Sequence, residues 1–375
     1  MSKTHLRNAV CALILAVLPS GTRVDAKPVA QQCGALREVA SLEMTALSDG
    51  TRVSVPLTIN GKQVNLEVGT GAGMSSLTAA AAATLGIKLR DAVGTRLVDQ
   101  DGTAIRHYYL ADDFQLGPLA ARKIPFMQGN DAVDARLSGT LGPDLMVRYD
   151  VEMDFSEQRL TYFSQDHCPG HILHWSSDAV TQVPIHITAR ARDYPPPAIN
   201  PAAAGLSSDF VNLLMSFGSP ILGTDIRTRI MLDGREFTAN IDTGLDISAI
   251  NSEAAQAYFN VPLDNPPANT PLTGSGAPVQ AGAGTEAVTV TGYRRQHRFH
   301  ALTFGGVTVS NPLFVLKPNP ADAHRVGSPS PPDITIGMNV LRKLHLYFAF
   351  GERMLYVSAP GPELAHDRQG GQHSE

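Results

Sequence analysis

The chain repeats itself, and this internal repeat limits its fold more than any other feature of the sequence. Two pairs of blocks align without gaps: 59–77 with 232–250, and 140–163 with 335–358. The offset grows from 173 to 195 residues between the two pairs, so the second copy carries about 22 extra residues between its blocks. Self-similarity at this scale indicates a duplicated structural unit.

Each copy has the composition of short strands joined by tight turns. The chain has 375 residues with 43% hydrophobic and 17% charged residues, and its 33 glycines and 26 prolines favour many turns. Alternating runs at 151–155, 159–163, 346–350 and 354–358 suit β-strands. Each first block continues into an alanine-rich stretch, for which Thr78 and Asn251 are natural N-caps of short helices. We therefore predict an all-β class, mainly β with short helices.

The repeat and the loop composition divide the chain into segments. We predict a signal peptide at 1–26, an N-terminal segment at 27–49, a first lobe at 50–163, a linker at 164–209, a second lobe at 210–358 and a disordered tail at 359–375. Hairpins are expected between the blocks, at the Asp101–Gly102 turn and at the glycine-rich stretch 274–284.

The N-terminus has the pattern of an export signal. Lys3 and Arg7 precede an apolar stretch at 9–18, and small residues before Lys27 suit a cleavage site. A retained signal anchor is the alternative. We expect an exported protein, periplasmic or secreted, with no stable membrane span once the signal is removed.

Two cysteines remain after the signal, Cys33 and Cys168, and we predict a disulfide between them because exported proteins keep disulfides. The alternative is a metal site, since His167, His171 and His174 lie close to Cys168 in sequence. No second cluster at ligand spacing completes such a site, so we expect no metal. Lysine and arginine are scattered and the formal net charge is −5, which argues against a nucleic-acid partner.

The second copy contains an acidic turn, Asp242-Thr243-Gly244, that follows an apolar strand, and an apolar-Gly-x-Asn block at 335–339 occurs much later. Together these motifs resemble the retropepsin-like and pepsin-like aspartic peptidases. The resemblance implies two acid-protease-like closed β lobes in tandem, each with a hairpin flap, facing each other across a cleft. It also implies peptide-bond hydrolysis by an activated water with no cofactor.

The resemblance assigns roles to residues of the second turn. Asp242, Thr243 and Gly244 are the predicted catalytic triplet, and Asp246 and Ser248 are predicted to bind the substrate. In this family one aspartate comes from each lobe. Two close carboxyl groups share a proton, so that one can accept a proton from water while the other donates one to the carbonyl oxygen.

The first copy keeps the frame of this turn but lacks the acid. Gly69, Thr70 and Gly71 are its degenerate counterpart, in which Gly69 stands where the catalytic aspartate is expected. Glu67 shares a strand face with position 69 but its backbone lies roughly 6 to 7 Å further back. On that spacing we do not expect Glu67 to replace the missing acid.

Three functions are compatible with this pattern. The first is an aspartic-type endopeptidase that restores the acid pair by pairing second lobes of two chains in a homodimer. The second is an inactive pseudopeptidase that binds extended peptides in the cleft between its lobes. The third is a purely structural duplicated β protein. The expected partner in the first two cases is a peptide or protein.

Overall fold

The computed structural model describes residues 33–91, 107–129, 134–172, 174, 180–189, 224–262, 295–317 and 333–359. The chain divides into two compact units, Met1–Cys33 and Gly34–Glu375, and both β lobes lie in the second. The predicted signal peptide, the Asp101–Gly102 turn, the stretch 274–284 and residues 360–375 of the predicted tail lie outside the described residues.

The described part of the chain is mainly β, which confirms the predicted fold class. Its strands up to residue 163 are β1 (Glu38–Glu43), β2 (Thr45–Ala46), β3 (Val53–Ile59), β4 (Lys62–Val68), β5 (Ser76–Leu77), β6 (Leu89–Asp91), β7 (His107–Leu116), β8 (Leu119–Gln128), β9 (Gly139–Leu141), β10 (Asp150–Asp154) and β11 (Arg159–Phe163). The later strands are β12 (Thr181–Ala189), β13 (Thr224–Leu232), β14 (Arg235–Ile241), β15 (Ala249–Asn251), β16 (Gln296–Arg298), β17 (Ala301–Phe304), β18 (Val307–Ser310), β19 (Leu313–Lys317), β20 (Ile334–Ile336), β21 (His345–Ala349) and β22 (Met354–Ser358).

The helices are short. They are α1 (Ala79–Thr84), a 3₁₀ turn (Pro143–Leu145), α2 (Ser252–Phe259) and α3 (Met338–Leu341). Thr78 caps α1 by accepting a hydrogen bond from Ala81 N, and Asn251 caps α2 by accepting hydrogen bonds from two backbone N–H groups. Both predicted N-caps are therefore confirmed.

The first lobe is a closed sheet. Its strand order is β2-β3-β4-β9-β5-β8-β7-β6, and an additional pairing of β3 with β7 closes the ring. The β3–β4 hairpin turns at Asn60 and Gly61, which both have positive φ, as a two-residue turn between right-twisted strands requires.

The second lobe repeats this order as β13-β14-β20-β15-β19-β16. The long hairpin β7–β8 of the first lobe is interrupted here into two short pairs, β16 with β19 and β17 with β18. Since β17 also pairs with β13, the ring closes through the interrupted strand as it does in the first lobe. Asp233 and Gly234 form the same positive-φ turn as their counterparts.

A central sheet joins the lobes, in the order β1-β11-β10-β21-β22-β12. At its middle β10 pairs antiparallel with β21, and Glu152 lies opposite its own repeat counterpart, Tyr347. The flanking pairs, Val151 with Phe348 and Met153 with Leu346, are fully buried. A pseudo-twofold axis therefore passes through this strand pair, and each of these buried apolar side chains contributes about 1.5–3 kcal/mol to stability.

The segment predicted as a linker contributes to this sheet. Its strand β12 pairs with β22 on one side and with β13 on the other, so it connects the central sheet to the second lobe. No helix in the described part of the chain is long and apolar enough to cross a membrane.

Cys33 and Cys168 are both in the disulfide-bonded state. The backbone beside them is paired: Gly34 forms a β-bridge with His167, and Cys168 N donates to Gly34 O at 3.0 Å. The predicted pairing of Cys33 with Cys168 agrees with these contacts and stays a prediction.

The central sheet also carries buried histidine–carboxylate pairs. His345 Nε2 lies 2.8 Å from Glu152 Oε1, and His174 Nε2 lies 3.4 Å from the same oxygen. Burial raises the pKa of Glu152, but the hydrogen bonds from His174 and His345 outweigh it and hold this pKa below its ordinary value. The hydrogen bond with Glu152 in turn raises the pKa of His174.

These pKa shifts predict the pH range in which the histidine–carboxylate pairs stabilise the fold. The Glu152 contribution is present above the unfolded glutamate pKa of about 4.3 and is lost as pH falls through the lower folded pKa. The His174 contribution is present below the unfolded histidine pKa of about 6.5 and is lost as pH rises through the raised folded pKa. We expect Glu152→Gln to lower the free energy of unfolding by about 1–3 kcal/mol, most strongly between these limits.

Urea unfolding as a function of pH measures this effect. Glu236→Gln is the control, because Glu236 is exposed and its pair with Arg229 is solvated, so its loss costs less than about 1 kcal/mol. Equal stability of Glu152→Gln and the wild type at pH 5.5 would show that the buried pairs contribute nothing.

Candidate active site between the two turns

Two equivalent loops present the candidate site, one from each lobe. In the second lobe Asp242 N donates to Ile336 O at 2.9 Å, and in the first lobe Gly69 N donates to Leu141 O at 3.0 Å. Each turn thus begins where its strand, β14 or β4, runs parallel to a short strand, β20 or β9.

A serine in each turn ties it to the glycine block. Ser248 Oγ donates to Asn339 Oδ1 at 2.8 Å and accepts from Gly337 N at 3.0 Å. The first lobe repeats both bonds with Ser75, Asp144 and Gly142. A β-carbon on Gly337 would lie 2.7 Å from Leu245 O, so only glycine fits this close approach.

Ser248 is fully buried, with both of its hydroxyl bonds inside the lobe. This burial favours a role in the frame over the predicted contact with substrate. Asp246 is half-buried; its Oδ1 accepts from Ile247 N at 2.9 Å and its backbone carbonyl accepts from Asn339 N.

The two turns are joined directly by a pair of buried threonines. Thr70 N donates to Thr243 Oγ1 and Thr243 N donates to Thr70 Oγ1, both at 3.0 Å. Each hydroxyl then donates across the interface, Thr243 Oγ1 to Val68 O at 2.6 Å and Thr70 Oγ1 to Ile241 O at 2.8 Å. These four bonds form a reciprocal set about the pseudo-twofold axis, within one chain.

Asp242 receives backbone donors from both lobes. Its Oδ1 accepts from Gly244 N at 2.9 Å and from Gly71 N at 3.2 Å. A β-carbon on Gly71 would lie 2.2 Å from Asp242 Cγ, so the carboxylate packs on the bare backbone of the opposite turn. Two N–H donors stabilise the ionised form of a carboxyl group.

Gly69 provides no carboxyl group on the other side. A β-carbon there would lie 2.6 Å from Thr140 Cγ2. The repeat counterpart of Thr140 is Thr335, which pairs with Asn240 on β14, the strand that leads into Asp242. A threonine is thus compatible with an aspartate at the equivalent position, and rotation of Thr140 about its Cα–Cβ bond would move its methyl group and admit an aspartate at position 69.

Glu67 reaches this site, in contrast to the expectation from its backbone position. Its Oε1 lies 3.9 Å from the position that a β-carbon on Gly244 would occupy, and Asp242 Oδ1 lies 3.2 Å from the same point. The two carboxyl groups are therefore at most about 7 Å apart across the lobe interface. The glutamate side chain extends forward along the strand and so spans the distance between the Glu67 backbone and the site.

A buried arginine holds Glu67 in place. Arg52 Nη1 donates to Glu67 Oε1 at 2.9 Å while Arg52 Nε donates to Asp49 Oδ2 at 2.5 Å, and the side chains of Arg52 and Glu67 are only 9% and 13% exposed. Burial raises the pKa of Glu67 to about 7; Arg52 opposes this shift and the nearby charge of Asp242 adds to it.

Sequence reasoning missed Arg52 and misplaced Glu67. The sequence held a signal for both. Glu67 lies near the end of the apolar strand β4, and Arg52 immediately precedes the apolar strand β3, at places where charged residues are uncommon.

The alternative metal site is not formed in the part of the chain that the structure describes, where no cluster of three or more His, Cys, Asp and Glu side chains could hold an ion. His167 and His174 are paired with Asp150 and Glu152.

We predict that the threonine pair couples the lobes energetically. Thr70→Val and Thr243→Val each leave a buried N–H and a buried C=O unsatisfied, which costs about 1–3 kcal/mol in unfolding free energy. The double variant should cost less than the two single losses combined, because each variant removes a different two of the four bonds, and losing the first two loosens the interface that holds the others. Chemical denaturation of the four proteins measures the coupling, and the exposed Thr308→Val is a control expected within about 0.5 kcal/mol of wild type. Strict additivity would contradict a reciprocal set.

Comparison with known proteins gives one family match and several similar solved structures. A family model described as aspartyl protease matches residues 55–145, the lobe without the aspartate. No curated protein sequence matches the chain.

Similar solved structures include basic 7S globulin from soybean, at 10% identity over 89% of this chain and 97% of that one with a TM-score of 0.43. An aspartic proteinase from Irpex lacteus matches at 13% identity over 88% and 99% with a TM-score of 0.41. A retropepsin-like aspartic protease from Rickettsia conorii matches at 20% identity over 34% and 92% with a TM-score of 0.26. The match over residues 55–145 confirms the resemblance to the aspartic peptidases that the motifs predicted.

Proposed function

We propose that this protein is an aspartic-type endopeptidase that hydrolyses peptide bonds in the cleft between the two lobes of one chain. The observation that carries the proposal is the position of Asp242, whose Oδ1 accepts backbone N–H groups from both lobes beside the threonine pair. A carboxylate fixed in this way is set to accept a proton from a water molecule that attacks the substrate carbonyl.

The site is proposed to work within one chain. Thr70 already forms hydrogen bonds with both the backbone N–H and the hydroxyl of Thr243. A homodimer joined through two second lobes, the arrangement considered from the sequence, would have to replace these bonds with bonds to a second Thr243. Since the intra-chain set is complete, we take the monomer as the working unit.

The second candidate is a pseudopeptidase that binds extended peptides without cleaving them. One observation favours it: Gly69 supplies no acid opposite Asp242. The two candidates share the cleft and differ only in turnover.

The disulfide-bonded state of both cysteines supports an exported location, since such bonds persist mainly in oxidising compartments. The peptide substrate would then be met in the periplasm or outside the cell.

We expect Asp242→Asn to abolish cleavage while leaving peptide binding and stability nearly intact. An asparagine Oδ1 still accepts from Gly71 and Gly244, but it cannot take a proton, so the rate should fall by about 10²–10⁴-fold. Cleavage of a mixed peptide library and its block by pepstatin measure this. Asp113→Asn, at an exposed ion pair with Arg122, is the control that should retain full activity.

Equal cleavage by Asp242→Asn and wild type would rule out the peptidase proposal. Peptide binding in the wild type with no turnover at any pH would favour the pseudopeptidase instead.

We also expect Gly69→Asp to raise the cleavage rate at acid pH at least about tenfold over Gly69→Asn, which adds nearly the same bulk without the acid. The new carboxyl group would meet Asp242 across the threonine pair and share a proton with it. Rates of both variants from pH 3 to 8 measure the gain. No difference between the variants would mean that positions 69 and 242 do not face each other in one chain.

A further inference from the structure

A single point between the lobes is surrounded by the groups of the site. The position that a β-carbon on Gly244 would take lies 3.2 Å from Asp242 Oδ1, 3.5 Å from Gly69 Cα and 3.9 Å from Glu67 Oε1. The equivalent point on Gly71 lies 2.2 Å from Asp242 Cγ, so by the pseudo-twofold repeat the point on Gly244 is where an aspartate at position 69 would place its carboxyl group, 3.9 Å from Glu67 Oε1.

The repeat shows that each lobe contributes one carboxyl group here. Positions 67 and 69 lie on one face of the same strand end, and their counterparts in the second lobe are 240 and 242. The first lobe has an acid and then a glycine, Glu67 and Gly69, whereas the second has Asn240 and Asp242. The first lobe thus lacks an acid at position 69 but has one two residues earlier on the same face of the strand, Glu67.

The two carboxyl groups have different surroundings. Asp242 Oδ1 accepts hydrogen bonds from two backbone N–H groups. Glu67 is buried, and its charged neighbours are Arg52, Asp49 and Asp242, with Asp246 close to Arg52. Burial raises the pKa of Glu67 to about 7, with Arg52 lowering it and Asp242 raising it further. Below about pH 7 Glu67 is therefore protonated.

We propose that Glu67 is the second catalytic acid of this site and acts with Asp242 on a water molecule bound between them. The proposal rests on the endopeptidase function and names the group that completes it. Asp242 Oδ1 and Glu67 Oε1 both lie within 4 Å of one point between the turns, so the two oxygens are at most about 7 Å apart and face the same part of the cleft.

Each proton is accounted for in the reaction. The Asp242 carboxylate takes a proton from water, the water oxygen bonds to the peptide carbonyl carbon, and the Glu67 carboxylic acid donates its proton to the carbonyl oxygen. The resulting gem-diol returns one hydroxyl proton to Glu67 as Asp242 gives its proton to the amide nitrogen. The C–N bond then breaks, and a carboxylic acid and an amine leave. Arg52 binds Oε1 of Glu67, which leaves Oε2 to carry the proton.

The test compares Glu67→Gln with the wild type and with Glu236→Gln, an exposed glutamate on the neighbouring lobe. Glutamine keeps the acceptor for Arg52 but cannot donate an acidic proton, so we expect a loss of about 10²–10³-fold in kcat with KM little changed. In the wild type the rate should fall as pH rises through about 7, because the general acid must be protonated. The double variant Glu67→Gln/Gly69→Asp should recover activity, with its optimum moved to acid pH.

A second readout does not need turnover. In protein labelled with ¹³C at the glutamate carboxyl carbon, the signal that Glu67→Gln removes should titrate near pH 7. Asp242→Asn should lower that midpoint, because it removes a neighbouring negative charge. The fold of every variant is checked by its thermal unfolding midpoint.

The outcomes separate this inference from the function on which it rests. If the wild type cleaves peptides and Asp242→Asn does not, while Glu67→Gln retains full activity and the wild-type pH profile, the role of Glu67 is wrong and the peptidase proposal stands. If the wild type cleaves nothing at any pH, the peptidase proposal fails and the catalytic role of Glu67 fails with it. A Glu67 signal that titrates near pH 4 and ignores Asp242→Asn would also overturn the carboxyl pair.

Discussion

The reciprocal hydrogen bonds between Thr70 and Thr243 are the constraint on which the rest of the site depends. Each threonine satisfies the backbone N–H of the other and a backbone carbonyl of the opposite strand. Both are fully buried, so a loss of either would leave polar groups without water or partner. The bonds hold the two turns at a fixed separation, and the central sheet repeats the same symmetry where Glu152 faces Tyr347.

This frame explains why a turn without its acid keeps its shape. Thr70 and Ser75 serve the fold, the first by joining the lobes and the second by fixing the glycine block. The chemistry of the turn depends on position 69 alone, so replacement by glycine removes a carboxyl group without loosening the structure. The space that this opens is next to Glu67, and the carboxylate of Asp242 packs on Gly71 at the same interface.

Much of the fold follows from the sequence because the repeat supplies each observation twice. Local patterns account for the strands β4 and β14 that lead into the two turns, the helices capped by Thr78 and Asn251, and the paired glycine blocks. The central sheet is different, because the pairing of β10 with β21 joins residues about 195 positions apart and leaves no local pattern. For the same reason β12 was not foreseen in a segment with the composition of a linker.

The candidate site was predictable in its frame and not in its second acid. Spacing along a strand predicts the position of the Glu67 backbone. It does not predict the direction in which the long side chain extends or the arginine with which it pairs. Arg52 precedes β3, and only the closed lobe brings it against the end of β4. The pKa of Glu67 depends on burial between two lobes, which no window of sequence contains.

The central claim is that one chain assembles the whole site, and dilution tests it most directly. The mass by light scattering and the cleavage rate per chain are measured on the same samples from about 10 μM to 10 nM. The account predicts a monomer with a constant rate per chain over this range. A rate per chain that falls on dilution in step with the dissociation of a dimer would contradict it.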